Sequence, residues 1–224
     1  MRAQHRSSPE GKIAFATLCQ RYWYPLYAFV RSAGNDVHKS QDLTQGFFQR
    51  VMEKNYIGDA DPARGKFRTF LLTSFSHFLA NEHDKRGALK RGGDRLHFSL
   101  EFEDAERRYA IEPVDGSTPE TRFEQQWARS LLGRVIKDLR REFVVADNER
   151  LFEELKPFLT TESTESAAEI GKRLGMTESA VRVAVHRLRA RYRRLLREEI
   201  AATIGNQTEV DDEIANLIST FARD

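Results

Sequence analysis

Phe123, Trp127, Leu131, Val135 and Leu139 fall every four residues, a spacing that sets five large apolar side chains along one face of a helix. The same kind of stripe runs through Leu43, Phe47 and Val51, and through Phe67, Phe70, Leu71, Ser74, Phe78 and Leu79. No stretch alternates apolar and polar residues as a half-buried strand does, so the pattern predicts an all-α fold. Hydrophobic residues make up 40% of the chain, enough apolar surface to offset the ordering entropy that keeps polar chains unfolded. At 224 residues there is room for one large domain or two small ones.

Breaks in the pattern favour two small helical domains joined by a linker. Ser8 and Pro9 read as an N-cap and a first helical residue, opening a helix through Phe15, Leu18, Tyr22 and Leu26 towards Ala33 that Pro25 is expected to kink. A second helix near His38–Lys54, a loop and a third helix from Phe67 complete a first domain over 8–91. Residues 92–117 carry Gly92, Gly93, Pro113 and Gly116 with the acids Glu101, Glu103, Asp104 and Glu106, and read as an acidic flexible linker. Thr118–Pro119 starts the second domain, 118–202, where a short helix near Asn148–Leu159 precedes two capped helices. Residues 203–224 form an acidic extension in which Thr208 and Asp211 have capping-box spacing. There Asp211, Asp212 and Glu213 stand opposite Ile214, Leu217, Ile218 and Phe221, an amphipathic helix expected to fold back on the basic second domain or to meet a regulator.

Total charge conceals how unevenly it is distributed. Lys+Arg 36 against Asp+Glu 34 leaves a formal net charge of only +2, yet Arg173–Arg197 holds eight arginines and His186 against the single acid Glu178. A solvated arginine-rich helix explains such a run by itself. The residues ahead of it favour DNA: Ser166 and Glu169 form a capping-box pair, Gly175 marks a tight turn, and Thr177 caps the next helix. That is the helix-turn-helix pattern, which sets the start of its second helix against base edges in the major groove. In this geometry Ser179, Arg182, Val183, His186 and Arg187 face bases, while Lys172, Arg173 and the later arginines, Arg189 among them, lie near phosphates; Thr177 completes the DNA-binding set. A smaller basic cluster, Lys85, Arg86, Lys90, Arg91 and Arg95, follows His77 and Asn81 at the end of the third helix. Such a face binds single strands by charge and stacking, and an ordinary solvated helix end explains the same charges; composition leaves both open.

The motifs together resemble the extracytoplasmic-function group of bacterial sigma-70 factors, and the resemblance spans most of the chain. Ser40-Gln-Asp-Leu-Thr-Gln-Gly-Phe-Phe-Gln-Arg-Val is similar to the region 2 segment that docks on core RNA polymerase. It implies that Gln41, Asp42, Gln45, Gln49 and Arg50 bind the polymerase. Phe67-Arg-Thr-Phe-Leu-Leu, continuing to Arg91, resembles the part that melts and reads the −10 element. This assigns His77, Asn81, Lys85, Arg86, Lys90 and Arg91 to −10 DNA, together with Asp61, Arg64 and Lys66 from the loop beside a flipped base. Ala168-Glu-Ile-Gly-Lys-Arg-Leu-Gly-Met-Thr-Glu-Ser-Ala-Val-Arg-Val-Ala-Val-His-Arg-Leu-Arg-Ala-Arg resembles the −35 reader of region 4. The resemblance implies core RNA polymerase and promoter DNA as partners, with an anti-sigma factor or another regulator as a further candidate. His77 stands where many relatives carry Asn, and Val183 and Ala184 stand where polar residues are common, so −35 discrimination leans on Arg182, His186, Arg187 and DNA shape.

No catalytic pattern competes with this reading. The chain has no P-loop, GxGxxG, HExxH or Cys-x-x-Cys, so an enzyme is not expected, nor a cofactor. His77 and His83 are six residues apart, on mismatched helix faces, and no metal site is expected. Cys19, the single cysteine, sits in an apolar stripe and reads as a buried structural thiol. With no disulfide, apolar leader or membrane-length apolar run, a cytoplasmic protein away from the membrane is expected. The alternative is a stand-alone helix-turn-helix regulator that never touches polymerase.

Overall fold

Helical spacing of apolar residues becomes helix throughout the described part of the chain. The computed structural model describes residues 9–54, 66–86, 102–111, 117–159, 165–203 and 209–221. Among these the order is α1 (Pro9–Ser32), α2 (Val37–Lys54), α3 (Phe67–Arg86), α4 (Phe102–Ile111), α5 (Pro119–Val145), α6 (Glu149–Leu155), α7 (Ala167–Leu174), α8 (Glu178–Ala201) and α9 (Val210–Phe221), with no strand. A single 3-10 turn, Lys156–Leu159, follows α6. No helix among the described residues is long and apolar enough to cross a membrane. The chain divides into two compact units, Met1–Ser130 with Thr203–Asp224, and Leu131–Ala202.

In the first unit α1 is continuous through Pro25, although that nitrogen has no hydrogen to donate along the helix. Gly34, at φ 87°, ends the segment after α1 in a left-handed conformation that suits glycine. Asp36 then caps α2, its Oδ1 accepting from the Lys39 N–H at 2.8 Å. The buried side chains include Tyr22, Leu26, Phe29 and Val30 of α1, Leu43, Phe47, Phe48 and Val51 of α2, and Leu71, Phe75 and Phe78 of α3, with Phe29 meeting Phe75 at 6.0 Å between ring centres. Phe47 is their hub, with ring centroids 4.8 Å from Phe75, 5.7 Å from Phe78 and 5.9 Å from Phe48. Phe75, absent from the stripe read in the sequence, is completely buried, whereas Phe67, Phe70, Ser74 and Leu79 are only partly covered. Cys19 is buried, and burial pushes its thiol up to about 12, which removes it from thiolate chemistry.

Two expectations about connecting segments are corrected. Residues 102–111, read as flexible linker, form α4 and pack against α1. Ala105 is completely buried beside Tyr24 and Tyr27, and Glu106 accepts from the Tyr27 hydroxyl at 2.6 Å and from Arg31 Nη2 at 2.8 Å. Arg31 holds the Glu106 carboxyl below its ordinary range, so this acid is spent within the fold. Arg108 stacks over the Tyr24 ring at 3.7 Å and Arg31 over Tyr109 at 4.9 Å. Glycines and acids on the sequence outweighed these aromatic and cationic partners, which lie about 75 residues away in the chain.

The second correction concerns α9, which belongs to the first unit and not to the basic second one. Its inward side chains are Val210, Glu213 and Leu217, while Ile218 is 62% exposed. Glu213 is therefore turned into the protein instead of lying on the solvent face. The reason is a pair of cations: Lys66 Nζ lies 2.5 Å from Glu213 Oε2, and Arg68 pairs with Oε1. The unit boundary itself falls within α5, after Ser130, and not at the Thr118–Pro119 start.

The second unit is built on Leu139, Phe143, Phe152, Leu155, Ile170, Val181, Val185 and Leu188. Ion pairs tie its helices together: Arg140 joins α5 to α6 through Glu149 and Glu153, and Arg134 reaches Glu199 of α8 at 2.8 Å.

Candidate nucleic-acid interface

The α7–α8 pair is organised by its ends. Ser166 Oγ accepts from the Glu169 N–H at 3.3 Å while the Glu169 carboxylate accepts from the Ser166 N–H at 2.9 Å, a complete capping box. Those bonds hold the Glu169 carboxyl below its ordinary range. Gly175 closes α7 in the left-handed region at φ 66°, and the Met176 N–H donates to the Gly171 carbonyl at 2.8 Å. Thr177 Oγ1 then accepts from the Ala180 N–H at 3.2 Å and starts α8.

This turn leaves no room at Gly171, where a β-carbon would sit 2.6 Å from the Met176 carbonyl oxygen. Gly171→Ala is expected to destabilise the second unit by ~1–3 kcal/mol through overpacking against fixed backbone. Gly133→Ala in α5, where nothing lies within 4 Å, is expected to stabilise by ~0.5–1 kcal/mol. Thermal melts of the two variants check both signs.

On α8, Val181, Val185 and Leu188 enter the core. At 100° per residue, Ser179, Arg182, Val183, His186 and Arg187 share an arc of roughly 140° on the opposite side, and all five are exposed. Val183 is 49% exposed, an apolar side chain in the middle of that face. Arg182 pairs with Glu178 one turn earlier, and the Ser179 hydroxyl lies 3.1 Å from Thr177 Oγ1. Lys172 and His186 are exposed, and Arg187 makes no hydrogen bond or ion pair with any described residue.

Two of the arginines expected near phosphates have internal work. Arg173 binds Glu154 through Nε and Nη2 at 2.9 and 2.7 Å and Glu165 through Nη1 and Nη2 at 3.1 and 2.6 Å. These carboxylates raise its already high pKa. Its carbonyl also accepts from Arg150 at 2.8 Å, so Arg173 locks α7 to α6. Arg189 donates through Nε and Nη2 to the Phe158 carbonyl at 3.1 and 3.0 Å, fixing the 3-10 turn. Farther along, Arg194 is held by Glu142 and Glu198, and Arg191 covers the Phe143 ring at 5.4 Å. The face best placed for a ligand is thus the first half of α8 with Lys172.

In the first unit, α2 sets Gln41, Asp42, Gln45 and Gln49 within about 100° of one another, opposite the buried Leu43, Phe47 and Val51. Asp42 is exposed, Gln41 and Gln45 are half-buried, and Gln49 donates to Glu53 at 2.9 Å. Arg50 lies to one side, its guanidinium 5.9 Å from the centre of the Phe78 ring. On α3, His77 and Asn81 are exposed one turn apart, with Asn81 Nδ2 donating to the His77 carbonyl at 2.8 Å. Lys85 and Arg86 are the last turn of that helix. Asp61, Arg64, Lys90 and Arg91 lie outside the described residues.

Lys66 precedes α3, and the structure gives it partners that the sequence reading did not foresee. It shares Glu213 with Arg68, whose Nε also lies 2.7 Å from Glu124 Oε2 and whose guanidinium stacks 4.2 Å from the Trp127 ring centre. Burial, and then the neighbouring Arg68 charge, lower the Lys66 pKa. Arg68 was missed as a functional candidate, although its place three residues before Leu71 puts a cation on the apolar face of α3. Compared with family models, with curated proteins and with solved structures, the chain finds no match in any of the three.

Proposed function

We propose that this protein is a promoter-specificity subunit of bacterial RNA polymerase, a sigma factor that acts in the cytoplasm by binding and not by catalysis. In this reading the first unit grips core polymerase through the α2 face and −10 DNA through α3, and the second unit reads −35 duplex through α8. The observation that carries it is the capped α7–Gly175–α8 helix-turn-helix, with Lys172, Arg182, Val183, His186 and Arg187 exposed around the start of its second helix. Arg187 is the best candidate for base readout, since a guanidinium forms bidentate bonds to guanine O6 and N7. The motif at residues 40–51 supplies the polymerase part of the reading through its resemblance to the docking segment of the family.

The deciding experiment is a pull-down with core RNA polymerase followed by run-off transcription from a promoter library. Stable binding with selective initiation is expected, and Asp42→Ala, an exposed change, is expected to weaken core binding by at least about tenfold without shifting the melt. Sequence-selective duplex binding without core binding would instead make the protein a stand-alone regulator. Arg187→Ala is expected to cost ~1–3 kcal/mol at promoters carrying the preferred −35 base. An equal loss at every promoter would make Arg187 a phosphate contact.

A further inference from the structure

Glu213 is the most deeply buried carboxylate among the described residues, at 1% exposure, and it lies in the middle of the inward seam of α9, between Val210 and Leu217. Taking a carboxylate out of water costs several kcal/mol, and its attraction to partner cations often no more than offsets that cost. An apolar residue at this position would hold a 12-residue helix at least as well. What a buried acid does better is choose its seat, because only a site with cations in fixed positions accepts it.

That seat is preorganised. Arg68 is itself nearly buried, flattened on Trp127 and tethered by Glu124, and Lys66 converges on the same carboxylate from the residue ahead of α3. Two cations holding two oxygens of one anion is also the arrangement that receives a phosphate. Glu209 and Asp212 of the α9 end act electrostatically on Lys66 as well. With α9 docked, the pair therefore faces four carboxylates, and a polyanion approaching the head of α3 is repelled. With α9 undocked, only Glu124 remains, and the same place attracts one. Arg68 lies on the buried side of α3, turned away from the exposed His77 and Asn81, so the seat is a second place on that helix and opens only when α9 leaves.

We propose that Lys66 and Arg68 form a phosphate seat for single-stranded DNA, and that α9 occupies it through Glu213 as an internal competitor. The inference rests on the reading of the first unit as one that binds single-stranded DNA, but not on binding to polymerase. Docking of α9 and binding of the strand at this point are mutually exclusive, so DNA binding releases α9, and any partner that captures α9 strengthens DNA binding.

The test titrates the full chain with a fluorescently labelled short single-stranded oligonucleotide, read by anisotropy over a range of salt. Glu213→Gln is expected to tighten binding roughly tenfold, and to steepen the slope of log K against log salt by about 0.7 for each phosphate newly neutralised. Lys66→Gln added to Glu213→Gln is expected to remove most of the gain, and Asp211→Asn, which deletes an exposed charge from the same helix, is expected to give little. Equal affinities for the parent chain and Glu213→Gln, or a gain from Asp211→Asn as large, would overturn the proposal. Hydrogen exchange on the unaltered chain needs no variant: amides of Val210–Phe221 are expected to lose protection on saturation with the oligonucleotide, and unchanged protection refutes the competition. Loss of core binding with this competition intact would refute only the polymerase reading; core binding with α9 protection unchanged would refute only the α9 latch.

Discussion

Leu188→Ala is expected to unfold the second unit and abolish duplex DNA binding while the first unit keeps its helices. Leu188 is completely buried among Leu139, Phe143, Phe152, Leu155, Ile170, Val181 and Val185, residues from four helices that share one small core. Removing a buried leucine side chain costs ~2–5 kcal/mol through lost transfer energy and the cavity left behind. A domain has a total stability of only ~5–15 kcal/mol, and small ones lie at the low end. The check is a thermal melt by circular dichroism alongside duplex binding. A melt like that of the parent protein would mean that the core collapses around the cavity. Arg187→Ala supplies the contrast, since an exposed side chain can be removed with binding lost and the melt unchanged.

Phe47→Ala is expected to be comparably damaging in the first unit, at ~3–5 kcal/mol. Its ring is the common neighbour of Phe48, Phe75 and Phe78, so truncation removes several tilted aromatic contacts, each worth ~0.5–1.5 kcal/mol beyond burial, along with the apolar area. Urea denaturation measures the loss. The variant also tells apart two ways of losing polymerase binding. Phe47→Ala removes it by loosening the helix that presents Gln41, Asp42 and Gln45, whereas Asp42→Ala removes it with the denaturation midpoint unchanged. If Phe47→Ala left the midpoint in place, the aromatic cluster would not be what holds α2 to α3.

The part of the candidate interface that was legible in the sequence is the part governed by neighbours in the chain. Ser166 with Glu169, Gly175 and Thr177 carry their meaning within a few residues, because a capping bond or a left-handed turn closes over one helical turn. Val181, Val185 and Leu188 could be assigned to the core for the same reason, and the exposed arc from Ser179 to Arg187 follows from theirs. What could not be read is which arginines have partners across the fold. Arg173 and Arg189 look like any other member of the basic run, but one is fixed by Glu154 and Glu165 and the other by the Phe158 carbonyl.

The C-terminal extension shows the same limit more sharply. Local pattern placed Glu213 with Asp211 and Asp212 on a solvent face, since an acid is seldom buried without a reason. The reason lies in Lys66 and Arg68, far away in the chain, and it turned Glu213 inward beside Leu217 and left Ile218 exposed. Residues 102–111 were likewise read as linker until Tyr27 and Arg31 supplied partners for Glu106.

The all-helical class, the capped ends of α7 and α8 and most of the apolar faces were legible along the chain, because period, capping and turn chemistry act over one or two helical turns. Contacts across the fold set which charges are bound and which are presented, pack α4 on α1, and seat the buried acid of α9 on Lys66 and Arg68. Coulombic and hydrogen-bond partners are chosen by distance in space, and no spacing along the chain encodes that distance.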